Sequence, residues 1–106
     1  NTYNEDSNGV HVAAVAAMIS GDQSYFYRVG FYGYQDTLWD DRGRHYYKLC
    51  TIQGAIDFIF GDGQSLFERC AISVIGGGFI TAQGRDDAND PGEPSGWNTW
   101  NSEGNE

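Results

Sequence analysis

Two aspartates, Asp36 and Asp57, stand 21 residues apart in matching surroundings. Asp36 is seven residues past Val29, and Asp57 is seven past Cys50. If each stretch forms one coil of a stacked solenoid, the two carboxylates lie side by side on adjacent coils. Carboxylates held that close do not both ionise easily. One pKa rises, and the pair divides into an acid and a base or nucleophile. Asp57 also lies within the otherwise apolar run Ile56-Asp-Phe-Ile-Phe60, where a charge is costly without a partner or a task. Gln35, next to Asp36, carries an amide suited to donate to a developing oxyanion. The plainer alternative makes Asp36 a turn residue before Thr37 and Asp57 an outward-facing strand residue.

The elements that must position this pair are strand-like. Ser24–Val29, Tyr46–Ile52, Ile56–Phe60, Ser65–Glu68, Cys70–Ile75 and Phe79–Ala82 are rich in aromatic and β-branched residues. Glycines punctuate them, at Gly30, Gly33, Gly54, Gly61, Gly63 and Gly76-Gly77-Gly78. Val12–Ile19 lacks a polar face and reads at least as well as a short buried strand as it does a helix. The runs repeat. Val29, Cys50 and Cys70 align at spacings of 21 and 20, followed by Phe31, Ile52 and Ile72, and then by Gly33 and Gly54. Phe26, Tyr47 and Phe67 repeat in the same register. A unit of about twenty residues cannot bury its own apolar face. Stacked at the inter-strand spacing, such units make one continuous core. A parallel β-helix is therefore expected, against an antiparallel meander with turns at similar intervals.

Composition narrows the function. The chain has 106 residues, 6 basic and 15 acidic, for a net charge of −9. That balance argues against nucleic acid or an anionic membrane as partner, since both require clustered Lys and Arg. No stretch reaches the roughly 18 apolar residues of a membrane span. All six basic residues and nine of the acids fall in residues 1–85, and the other six acids in residues 86–106. Two cysteines, Cys50 and Cys70, are too far apart for a CxxC knuckle and read equally as one disulfide or as two packed thiols.

Gly33-Tyr-Gln-Asp-Thr-Leu38 and Gly54-Ala-Ile-Asp-Phe-Ile-Phe-Gly61 resemble the two central motifs of plant-type pectin methylesterases. Ile80-Thr-Ala-Gln-Gly-Arg85 resembles the family's next stretch, and the likeness runs almost continuously from Ser20 to Arg85. The resemblance implies an all-β, right-handed parallel β-helix, here only its middle coils. Residues 1–85 are then central coils, and 86–106 an acidic polar tail or junction out of continuous family register. It also implies a secreted enzyme of the plant cell wall that hydrolyses C6 methyl esters of homogalacturonan to pectate and methanol without metal or cofactor. A proteinaceous pectinesterase inhibitor is an expected partner. By resemblance, Asp57 matches the nucleophile, Asp36 the general acid/base and Gln35 an oxyanion donor. Trp39 and Phe60 match aromatics lining the sugar-binding cleft. Pro94-Ser-Gly-Trp-Asn-Thr-Trp100 resembles a later family segment, which makes Trp97 a further cleft aromatic or else an exposed tail residue.

The chain departs from the family pattern in two places. Ala13-Ala-Val-Ala-Ala-Met18 stands where the family usually has Gln-Ala-Val-Ala, an apolar residue and Arg. Ala13 thus replaces an oxyanion-hole Gln, and losing one such donor costs about 2.7–4 kcal/mol. His11 is a weak substitute donor and reads better as an exposed side chain. The family's Leu-Gly-Arg-Pro-Trp-type motif is also missing, and Arg85 belongs to a different motif. These departures support a rival: a catalytically inactive β-helix that binds pectin or a protein partner. A third description, a plant antigen, concerns its study rather than its chemistry. Asp86–Gly92 fails as a calcium loop because Pro91 sits where the loop needs glycine. His45, among Arg44, Tyr46 and Tyr47, reads as structural or surface.

Overall fold

The computed structural model describes residues 1–4, 8–83 and 99–101. Trp97 and Arg85 lie outside the described residues. Among the described residues a 3-10 turn, Thr2–Asn4, precedes eleven short strands: β1 Ala17–Ile19, β2 Ser24–Tyr27, β3 Gly30–Tyr32, β4 Leu38–Asp40, β5 Arg44–Lys48, β6 Thr51–Gly54, β7 Ile59–Phe60, β8 Gln64–Glu68, β9 Ala71–Val74, β10 Thr81–Ala82 and β11 Thr99–Asn101. They form three sheets, ordered β1-β4-β7-β10, β11-β8-β5-β2 and β3-β6-β9. Every pairing is parallel. Each coil gives one strand to each sheet, so the chain is a parallel β-helix of about three turns, as expected.

The register follows the sequence repeat. Phe31 pairs with Ile52 and Ile52 with Ile72. Phe26 pairs with Tyr47 and Tyr47 with Phe67. In-register parallel stacking places like on like, and the interior is built from such ladders. The Tyr47 ring stacks on Phe26 at 5.1 Å and on Phe67 at 4.5 Å between centroids. Phe31, Leu38, Ile52, Phe58, Ile59, Cys50 and Cys70 complete the core. Both cysteines are buried free thiols, which decides between the two readings left open above. Burial pushes the Cys70 thiol up to about 11.

Two strand-like runs are each broken by a corner. Tyr46–Ile52 divides between β5 and β6 at Leu49, whose φ is 54°. Arg28 and Arg69 turn the equivalent corners of the neighbouring coils with φ of 54° and 52°. Ile56–Phe60 divides at Asp57, so the outward-facing strand placement considered for Asp57 is not what forms. Val12–Ile19 is extended rather than helical: Ala14 and Ala16 donate backbone N–H groups to Gln35 and Thr37 of the next coil. Gly61 turns the corner before β8 at φ 119°, and a Cβ there would meet the Asp40 carbonyl oxygen at 2.1 Å. No side chain fits.

Phe67 is fully buried against Tyr47. Phe67→Ala should cost about 3–5 kcal/mol of stability, read by chemical denaturation. A loss under 1 kcal/mol would mean that the ladder does not carry the core.

Candidate active site

Each coil passes from the third sheet into the first through the same corner, residues 33–37 on one coil and 54–58 on the next. Gln35 bridges Ile56 in parallel, which puts Asp36 and Asp57 at one level on adjacent coils. Both have left-handed backbones, with φ of 61° and 45°. Asp tolerates this region better than most residues because its short polar side chain bonds locally. The corner is anchored by backbone bonds: Asp36 N–H to the Ile56 carbonyl at 3.2 Å, and Asp57 N–H to the Phe79 carbonyl at 2.7 Å. Both aspartates are half-buried. Burial raises the Asp36 carboxyl above the usual carboxylate range, and the charge of Asp57 raises it further. The pair is thus a carboxyl that ionises less readily than usual beside a second carboxylate.

Gln35 lies beside them, half-buried. Among the described residues nothing hydrogen-bonds its side-chain amide, which remains available as a donor. Its backbone is held firmly. Asn4 Nδ2 donates to the Gln35 carbonyl at 2.9 Å and to the Val12 carbonyl at 2.8 Å, while Asn4 Oδ1 accepts from Tyr34 N–H at 3.0 Å. Asn4 is buried, and its one amide ties the start of the chain to the corner that carries Asp36. Sequence reasoning missed it; an isolated Asn near a chain start carries no pattern.

Three residues past each aspartate, Trp39 and Phe60 are the second residues of β4 and β7 in the first sheet. They are paired in register and stack at 5.6 Å with planes 22° apart. Met18 pairs with Trp39 on the other side and is half-exposed. The structure thus brings Asp36, Asp57, Gln35, Trp39 and Phe60 to one corner and the sheet that leaves it. Ala13 is exposed and offers no donor. His11 is also exposed, its ring stacked on Tyr34 at 3.8 Å.

His45 is buried, in a polar cluster the sequence did not reveal. Its Nδ1 meets Asp40 Oδ1 at 2.5 Å and its Nε2 meets the Gly21 carbonyl at 3.0 Å. Both ring nitrogens thus lie within hydrogen-bond distance of an oxygen. Asp40 also accepts from Tyr47 OH at 2.9 Å and from Ser65 Oγ at 2.5 Å. Burial, then the charge of Asp40, pushes the Tyr47 hydroxyl far up. The cluster joins three coils immediately behind Trp39 and fixes the sheet on which the aromatic stripe stands.

Fold and corner together define a parallel β-helix with a paired-carboxylate site. The pectinesterase family model matches residues 2–102. The chain belongs to the pectinesterase family. It is 58% identical over 102 residues to probable pectinesterase 55 of Arabidopsis thaliana, covering 85% of this chain and 31% of that protein. It is 57% identical to probable pectinesterase 29 of the same plant, covering 80% of this chain and 29% of the relative. A crystal structure of the Aspergillus niger pectin methylesterase superposes with a TM-score of 0.75 at 45% identity, covering 82% of this chain and 28% of that one. The chain therefore spans about a third of the length of the curated relatives it matches.

Asp36 should report its environment through stability. Its folded pKa lies above the unfolded value of 3.8, so the native state binds its proton more tightly. The stability this contributes is present at low pH and lost as pH rises through the folded pKa. At pH 7 the ionised carboxylate is a net burden. Asp36→Asn, which suits the left-handed backbone, should raise Tm at pH 7, and the gain should vanish below about pH 4. A Tm that falls equally at both pH values would contradict this.

Proposed function

We propose that the protein to which this chain belongs hydrolyses the C6 methyl esters of pectin, releasing methanol, by an aspartate-nucleophile mechanism. The observation that supports the reading is the Asp36–Asp57 pair on adjacent coils, with the Asp36 carboxyl raised above the usual carboxylate range. In the proposed sequence, an Asp57 oxygen attacks the ester carbonyl carbon. Negative charge develops on the carbonyl oxygen, where the Gln35 amide donates a hydrogen bond. The C–O bond to the methoxy group breaks as Asp36 gives its proton to the departing methanol. A mixed anhydride between the uronic acyl group and the Asp57 carboxyl remains. Asp36, now ionised, takes a proton from water. The hydroxide attacks the acyl carbon and frees the uronic carboxylate and Asp57. Trp39 and Phe60 would hold the sugar rings against the first sheet. The reading carries with it a secreted protein acting in the plant cell wall, where an inhibitor protein would compete for the same cleft.

One observation favours a second reading. Ala13 supplies no donor where the resemblance expects one, so a pectin-binding protein without turnover is the alternative.

The test is methanol release from esterified pectin by the full-length protein. Asp57→Asn should reduce it about 1000-fold or more while pectin binding is retained, as expected when a nucleophile is removed. Activity kept within tenfold would sink the nucleophile assignment. Parent protein that binds pectin and releases no methanol would establish the second reading.

A further inference from the structure

The described residues include five cations. Arg42 and Arg44 are paired, with Asp41 at 3.1 Å and Asp22 at 2.6 Å. Arg28, Lys48 and Arg69 join no ion pair among the described residues, and they share one edge of the solenoid. Tyr27, Lys48 and Glu68 form a register ladder across β2, β5 and β8. The next residue on each coil is Arg28, Leu49 or Arg69, at φ 54°, 54° and 52°. Matching backbone at each turn sends these side chains from the same corner, one coil above another. Arg28 and Arg69 are exposed and Lys48 is half-buried. The Arg28 guanidinium lies over the Tyr27 ring at 5.2 Å, which holds it against the sheet.

Aromatic surface flanks this edge. Tyr25 and Tyr27 are 55% and 47% exposed, and Tyr25 stacks on Tyr46 at 5.2 Å. Glu68 is the acid nearest in the ladder, and its carboxylate accepts the Tyr46 hydroxyl instead of pairing with Lys48 or Arg69. On a chain of net charge −9, Arg28 and Arg69 in one column, with Lys48 one residue before Leu49 on the coil between them, stand apart from a surface that otherwise repels anions.

We propose that this edge binds an acidic polysaccharide, a de-esterified polyuronate, at a site separate from the Asp36–Asp57 corner. Coils stack at about 4.7–4.9 Å, so Arg28 and Arg69 stand two spacings apart, with Lys48 in the adjoining column on the coil between. A polyuronate presents one carboxylate per sugar, at a comparable advance along the chain. Arg28 and Arg69 offer bidentate pairing to carboxylates, Lys48 a point charge between them, and the tyrosines apolar and hydroxyl contacts to the rings. A methyl-esterified chain lacks the charges and gains nothing here. The choice of polymer rests on the pectin reading, because the proposed reaction makes this polyanion.

The experiment measures binding of polygalacturonate and of its fully methyl-esterified form to the full-length protein and to the variant Arg28→Gln/Lys48→Gln/Arg69→Gln. Polygalacturonate carries no ester, so its binding is read whether or not the protein releases methanol. The variant should bind polygalacturonate at least tenfold more weakly and the esterified polymer unchanged, with methanol release from short esterified oligomers intact. The parent's affinity for polygalacturonate should fall as salt rises. The single variants Arg28→Gln and Arg69→Gln, each weakening binding severalfold, keep the test open if the triple variant does not fold. Unchanged polygalacturonate binding in the variants would overturn the proposal, as would equal loss for both polymers or stronger competition by inorganic polyphosphate than by polygalacturonate.

Discussion

Everything at the carboxylate corner depends on the register between coils. Asp36 and Asp57 come from different coils and touch nothing in common along the chain. They meet because Gln35 pairs with Ile56 and because the next strands pair Leu38 with Ile59 and Trp39 with Phe60. A slip of one residue would turn every interior side chain outward and separate the pair at once. The register is held by the interior. Tyr47 lies between Phe26 and Phe67, with Phe31 and Ile52 stacked beside them, and this sequence of apolar rings has one arrangement that buries them all. Packing and chemistry are thus one constraint, because the ladders that fill the core bring the second carboxylate to the first.

A polar clamp backs the apolar ladder. Asp40, at the end of β4, gathers His45, Tyr47 and Ser65 within hydrogen-bond distance, and His45 reaches on to Gly21. A buried polar group left without its hydrogen-bond partner costs about 1–3 kcal/mol, so each member of this cluster holds the others in place. Here three coils are fixed relative to one another immediately after Trp39. Asn4 does the equivalent at the other end of the corner, where one amide hydrogen-bonds three backbone groups, those of Val12, Tyr34 and Gln35. The left-handed aspartates sit between these two anchors. Backbone strain at a functional residue persists when its surroundings over-determine it, and both neighbours of this corner are so determined.

Much of this was legible in the sequence because a stacked solenoid writes its geometry into spacing. The offsets of 21 and 20 that align Phe26, Tyr47 and Phe67 are the register itself, and the same offset places Asp36 beside Asp57. The corners were less legible. Arg28, Leu49 and Arg69 turn the chain without glycine or proline, so nothing punctuates Tyr46–Ile52 and it reads as one strand. Asp57 read equally as a strand residue, because its apolar neighbours Phe58 and Ile59 face inward from a corner and mimic a buried strand. The Asp40 cluster was invisible. Its members are 5, 7 and 25 residues from Asp40, and beside Asp41 and Arg42 that aspartate looks like part of a solvated charge run. Only the coil closing on itself shows that Asp40 points inward and Asp41 outward.

Stacking couples the two carboxylates, so that Asp36 ionises less readily than an ordinary aspartate, first because it is buried and then because Asp57 is charged and near. Carbon-13 NMR of labelled aspartates would follow Asp36 through a pH titration in the parent protein and in Asp57→Asn. With Asp57 neutral, the Asp36 midpoint should fall toward the ordinary carboxylate range yet stay above it, since burial continues to raise it. An Asp36 midpoint that does not move on neutralising Asp57 would contradict the account, because the coils would then not bring the pair into one site.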